Sequence, residues 1–267
     1  KTNATAFNIS NYTGDHADVI KSGRVFGCNN LNGSPKGNVT VTVYKTVSRN
    51  TDGSPKAKPA KDNNTYELAA VYGGGNLADY TPAGTDKKTI VRIMTCDVSV
   101  QEVYGGGNAA VVPETDVLVN GAYEIAQVFG GGNGEDAYYL NEEWHENPGA
   151  NVGGDATTLL TGGYIHEAYG GSNSKGTITG NINISKGTGG ECTLNVVELY
   201  GAGKDADVEG DLIMVMGCSD TRTERVYGCA KNANVKGNVE LTITSGEYGK
   251  VFGGNNESGA IFGHIVI

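Results

Sequence analysis

The chain has 267 residues, 42 of them glycine, and its 30 acidic side chains against 20 basic ones leave a net charge of −10. That glycine content is well above the usual ~7%, yet it lacks the every-third-residue period of collagen, and with 6 prolines it stays under the ~25–30% of low-complexity disorder. The acidic balance argues against nucleic acid, which needs clustered Lys and Arg, and no apolar run approaches the ~18 residues of a membrane-spanning segment.

The chain opens Lys1-Thr2-Asn3-Ala4, without the basic and apolar leader of a signal peptide. It reads as a mature exported chain or as a piece of a longer one. The first structured signal is Val25-Phe26-Gly27-Cys28-Asn29-Asn30. An alternating strand follows, Gly37-Asn38-Val39-Thr40-Val41-Thr42-Val43. A polar insertion from Tyr44 to Tyr66 then carries a net charge of +3, from Lys45, Arg49, Lys56, Lys58 and Lys61 against Asp52 and Asp62.

The opening motif recurs as Val71-Tyr72-Gly73-Gly74-Gly75-Asn76, Val103-Tyr104-Gly105-Gly106-Gly107-Asn108 and Val128-Phe129-Gly130-Gly131-Gly132-Asn133. A polar loop, Leu77 to Lys88, follows the second copy. An acidic insertion, Gly134 to Gly154, follows the fourth and holds the only Trp, Trp144. Four shorter copies complete the series: Ala168-Tyr169-Gly170, Leu199-Tyr200-Gly201, Val226-Tyr227-Gly228 and Val251-Phe252-Gly253. Between them lie the strands Gly180-Asn181-Ile182-Asn183-Ile184, Gly210-Asp211-Leu212-Ile213-Met214-Val215-Met216 and Gly237-Asn238-Val239-Glu240-Leu241-Thr242-Ile243. The last residues, Gly263-His264-Ile265-Val266-Ile267, match the first strand of a ninth unit, which predicts further chain beyond them and an end-to-end contact with it.

Self-similarity at a fixed period marks a repeat architecture. Successive aromatics are 46, 32, 25, 40, 31, 27 and 25 residues apart, so the basic unit is about 25 residues with insertions. Period-two alternation rich in β-branched residues predicts strands, and no sustained 3.6 period predicts almost no helix. Propeller blades run about 40–50 residues, too long for this unit. The expected fold is all-β: one right-handed, single-stranded parallel β-helix domain over 1–267, with about eight coils stacked roughly 4.8 Å apart. Glycine suits tight turns and close backbone approach. The Asn30, Asn76, Asn108, Asn133, Asn173 and Asn256 column then reads as a ladder along stacked turns.

Two residues before each aromatic stand Arg24, Ala70, Glu102, Gln127, Glu167, Glu198, Arg225 and Lys250, mostly polar. Alternation therefore turns the valines inward and the rings outward. Tyr72, Tyr104, Phe129, Tyr169 and Tyr200 are accordingly candidate binding residues in an external stripe, with Trp144 in its loop beside them. The alternative for the stripe is a ladder in which each ring covers its neighbour.

Enzyme motifs are thin. Asn50-Thr51-Asp52 resembles the start of a polygalacturonase site, but its Asp-Asp, Gly-His-Gly and Arg-Ile-Lys partners are missing. Gly131 to Tyr139 fits one calcium-binding nonapeptide, a motif that works in tandem. No catalytic residue, metal ligand or cofactor is assigned. The five cysteines lack paired spacing. Cys28 and Cys229 are six coils apart and cannot bridge, Cys192 and Cys218 could meet, and buried thiols are the preferred reading.

The recurring Val-Tyr-Gly-Gly-Gly-Asn units, preceded by Gly-Asn-Val-x-Val strands, resemble the glycine-rich β-helical surface proteins of gut Bacteroidetes, often called adhesins. The likeness spans nearly the whole chain and offers no catalytic residue to carry over. It implies export, surface display and binding to a glycan or a host or partner protein. A non-enzymatic adhesin-like rod is thus the leading expectation. A polysaccharide lyase or hydrolase is second and a structural spacer third.

Overall fold

The computed structural model describes residues 23–47, 52, 54, 66–134, 138–140, 143–145, 149–217 and 221–267, with only the backbone path for 138–140 and 143–145. The described residues form strands and turns, with no helix. The first seven strands are β1 (Gly23–Phe26), β2 (Val39–Val43), β3 (Leu68–Tyr72), β4 (Lys88–Ile93), β5 (Ser99–Tyr104), β6 (Glu114–Val119) and β7 (Glu124–Phe129). Next come β8 (Tyr138–Leu140) and β9 (Glu143–His145), which pair with each other as an antiparallel hairpin. The rest are β10 (Ala156–Leu160), β11 (Gly163–Tyr169), β12 (Ile182–Lys186), β13 (Leu194–Tyr200), β14 (Leu212–Met216), β15 (Thr223–Tyr227), β16 (Val239–Ile243), β17 (Tyr248–Phe252) and β18 (Ile265–Val266).

Apart from the hairpin, successive strands alternate between two eight-stranded sheets. The first has the order β1-β3-β5-β7-β11-β13-β15-β17, and the second runs β2-β4-β6-β10-β12-β14-β16-β18. Every neighbouring pair within them is parallel. Both sheets keep sequence order, so each repeat unit adds one strand to each, an arrangement consistent with a parallel β-solenoid. A third column of single bridges links Val112, Val152, Ile178, Val208, Val235 and Ile261 in the same direction.

Alternation fixes what lies between the sheets. Val71, Val103, Val128, Leu199 and Val226 of the first sheet share one buried cluster with Val91, Val117, Leu160 and Met214 of the second. Val112, Val152, Ile178, Val208 and Val235 form another with Ile182 and Leu212. Full burial of such side chains contributes roughly 1.5–3 kcal/mol each. The strict period breaks once in each first-sheet strand after β1. Val100 pairs with Ile125 and then Glu102 with Gln127, passing over Gln101 and Ala126. His166 and Val197 are passed over in the same way between β11 and β13. The passed-over residues fall at the same place in every first-sheet strand from β3 to β17.

The turn glycines are needed for close approach. At Gly105 a Cβ would lie 2.2 Å from the Gly130 carbonyl oxygen and 2.9 Å from the Thr115 Cβ of the second sheet. No side chain fits at this first turn position, where one backbone presses on the next.

Candidate functional site

The first sheet carries one aromatic ring per strand, in exact register from Phe26 through Tyr72 and Tyr104 to Phe252. All eight rings stack. Neighbouring centroids are 4.6 to 5.2 Å apart and the planes differ by 4 to 12°. As expected, the rings lie on the sheet face opposite the inward valines. The external stripe, however, is corrected: Tyr72, Tyr104, Phe129, Tyr169 and Tyr200 are at most 1% exposed. Each ring covers the faces of its neighbours, which is the ladder alternative, and the turn closes over the rims. The stack opens at its two ends, where Phe26 is half-buried and Phe252 is 45% exposed. The five buried rings therefore present no face to a sugar or a partner.

The rims are held by polar side chains from the turns and from the position two residues earlier. Tyr104 Oη lies 3.1 Å from both Glu102 Oε2 and Asn133 Oδ1, which share its one proton, and accepts from Asn173 Nδ2 at 3.2 Å. The Tyr169 hydroxyl donates to Glu167 at 3.1 Å and the Tyr200 hydroxyl to Glu198 at 2.8 Å. Burial pushes the hydroxyls of Tyr104, Tyr169 and Tyr200 far above the ordinary tyrosine range, and the neighbouring glutamates push the same way. Burial also raises the Glu102 carboxyl, against the opposing hydrogen bond from Tyr104.

Asparagine forms the expected ladder over five units. Asn76 Nδ2 donates to Asn30, Asn108 to Asn76, Asn133 to Asn108 and Asn173 to Asn133, at 2.8 to 2.9 Å. Lys204 and Lys231 then interrupt the column. Beyond them Asn256 Nδ2 turns instead to the Tyr200 hydroxyl at 3.0 Å.

Glu102, Glu167 and Glu198 share one column, and the last two are direct partners on adjacent strands. Besides its tyrosine, Glu167 accepts from the Gln127 amide, and Glu198 pairs with Arg225. These carboxylates are engaged in fastening the stack.

The remaining expectations fall on loops. Trp144 lies on β9, but its side chain is outside the described residues. Asn50 and Thr51 are outside them too. Asp52 accepts from the Ser54 backbone amide and hydroxyl, and these hydrogen bonds hold its carboxyl below the usual range. Of the calcium-type nonapeptide, residues 135–137 are outside the described residues, and no group of metal-ligating side chains gathers among those described.

Cysteine chemistry differs from expectation. Cys192 is disulfide-bonded to Cys96, with Cα atoms 6.0 Å apart. A Cys192–Cys218 bridge is thereby excluded, and Cys218 itself lies outside the described residues. Cys28 and Cys229 are free thiols, and burial pushes them up to about 11 and about 12. The bridge was missed because Cys96 and Cys192 belong to the units of Tyr104 and Tyr200, three apart. Only the path of the 187–193 loop brings them together.

Two further polar groups escaped the sequence reading. Lys186 is 2% exposed in the inward column of the second sheet, aligned with Leu160 and Met216. Its Nζ donates to Thr223 at 2.7 Å and lies 5.3 Å from the Tyr248 ring centre. Its alternation with Ile182 and Ile184 was the available signal. His166 Nε2 and the buried Glu124 Oε1 share a hydrogen bond at 2.6 Å, and Tyr164 packs edge-on against the imidazole. This pair arises at the residue passed over in β11, which no local pattern announces. Compared with known proteins, the chain matches no family model, no curated sequence and no solved structure.

Proposed function

We propose that the chain is the rod of a non-enzymatic, adhesin-like protein of the cell surface or the extracellular space. In this reading it is a right-handed, single-stranded parallel β-helix of about eight coils, akin to the glycine-rich surface proteins of gut Bacteroidetes that its repeats resemble. It binds a glycan or a host or partner protein. The observation that carries the reading is the unbroken register of eight aromatic rings along one sheet. A stack with each inner ring locked between neighbours makes a stiff scaffold, and on such scaffolds contact functions fall to the loops. The candidate contact regions are the β8–β9 hairpin with Trp144 and the loop tied by Cys192. The disulfide supports an oxidising compartment.

The test is capture of glycans and matrix proteins by the purified chain on arrays, run beside an assay for reducing ends and unsaturated uronates. Saturable capture without product is expected. Product from any polysaccharide would replace this reading with the lyase or hydrolase alternative. Capture of nothing would leave a spacer.

A further inference from the structure

The disulfide sits where regular stacking would not put it. Cys96 and Cys192 precede aromatics three units apart, which at the strand spacing is on the order of 14 Å along the rod. Their Cα atoms are 6.0 Å apart. The loop between β12 and β13 must therefore lean back over two intervening units, and its hydrogen bonds trace that path. Gly187 N–H donates to the Leu160 carbonyl, Gly190 N–H to Thr161 and Glu191 N–H to Asn120. A Cβ at Gly190 would lie 2.3 Å from the Asn120 carbonyl oxygen, so the strap lies directly on the backbone beneath it.

The strap and the neighbouring Thr161 line an open cleft of about 310 Å³. That is the lower end of the ~300–1,000 Å³ of small-ligand sites. It is lined by Thr161 and by the loop from Gly187 to Leu194, which includes Thr188, Glu191 and Thr193. Gly189 holds φ at +96°, and a Cβ at Gly187 or at Gly189 would meet no atom within 4 Å. Most small-ligand sites are chiefly apolar; this one is built mainly from threonines, glycines and one glutamate beside Cys192 and Leu194, with no aromatic ring and no basic residue. Such a lining matches a ligand that is itself dense in hydroxyls. Glu191, on a chain of net charge −10, repels anions.

We infer that this cleft is a subsite for one uncharged sugar residue of the hexose type, and that the Cys96–Cys192 disulfide pre-organises it. The inference rests on the binding reading above and gives it a place and a ligand class. A strap pinned at Cys192 forgoes the ordering cost that a free glycine-rich loop would meet on binding. The ligand is held by hydrogen bonds to threonine hydroxyls, loop amides and Glu191, and no bond is made or broken.

The experiment is titration calorimetry with neutral hexose and N-acetylhexosamine oligosaccharides, and with sialylated, uronate and sulfated ones as the contrasting set. The wild-type chain should bind members of the neutral set and not the anionic set. Gly187→Phe, at an open position without positive φ, should weaken that binding at least 10-fold with an unchanged melting curve. Reduction, or the Cys96→Ser/Cys192→Ser pair, should weaken it too. If the disulfide variant fails to fold, Gly187→Phe alone carries the test. Undiminished neutral-sugar binding in Gly187→Phe would overturn the subsite while leaving the binding reading intact. So would binding of only anionic glycans, or of a protein alone. Capture of no glycan and no protein by the wild type would overturn both.

Discussion

The outward faces of the two sheets contrast. Both come from alternating strands, yet Tyr104 and Phe129 on the first are wholly buried, whereas Leu159, Ile213 and Val215 on the second are 37 to 38% exposed. The difference lies in what stands above each face. On the first, flat rings lie perpendicular to the sheet, cover one another at under 5.3 Å and are closed at the rim by the asparagine turn. On the second, aliphatic side chains stand on an open sheet. A face pointing away from the main core is therefore not the same as a face in solvent.

Alkali should separate the two faces most strongly. Tyr104, Tyr169 and Tyr200 have hydroxyls raised by burial, while unfolded tyrosine ionises near pH ~10. Folded pKa values above unfolded ones leave this stability intact below pH ~10 and remove it as the pH climbs past that point. Tyrosinate absorbance from these rings should rise together with a cooperative loss of the β-sheet circular dichroism signal. Gradual ionisation with the sheets intact would mean the rings are open.

Truncation comes next. Tyr104→Ala should cost about 3–5 kcal/mol in urea unfolding, from lost burial plus the gap left in the stack. Val215→Thr on the open face should stay within about 0.5 kcal/mol. Equal costs would erase the contrast. The rim is a smaller contribution. Asn133 both donates to Asn108 and accepts from Tyr104, so Asn133→Ala should lose about 1–3 kcal/mol by stranding buried partners.

The smallest expected effect is at Glu102. Its raised carboxyl destabilises the fold as the pH rises from the ordinary glutamate range through its own pKa. Glu102→Gln, still able to accept from Tyr104, should match or exceed the wild type in melting temperature at neutral pH and lose that margin in acid. A variant weaker at every pH would assign the carboxylate a different role.

Much of this scaffold was legible in the residues. Val39-Thr40-Val41-Thr42-Val43 announced a half-buried strand, and the eight aromatic–glycine pairs marked the units. The asparagines four residues on proved to be the ladder over five units. The break at Lys204 and Lys231 coincides with the end of that ladder. The site was less legible. Tyr72, Tyr104, Phe129, Tyr169 and Tyr200 were read from alternation, which reports the side of a sheet and not what covers it. Cys192 was set beside Cys218 because adjacent units are the natural neighbours, and a loop leaning across two units follows no period.

By itself the sequence determined the all-β character, the unit length, the two strand classes and the identity of the inward columns. These depend on period and on steric limits within a few residues, which identical neighbours repeat and reinforce. Tertiary structure alone decided that the rings are buried, that Cys96 meets Cys192, that Lys186 lies among apolar side chains and that a cleft opens at the strap. Each of those depends on distances between units, and stacking sets such distances only once every unit is in place.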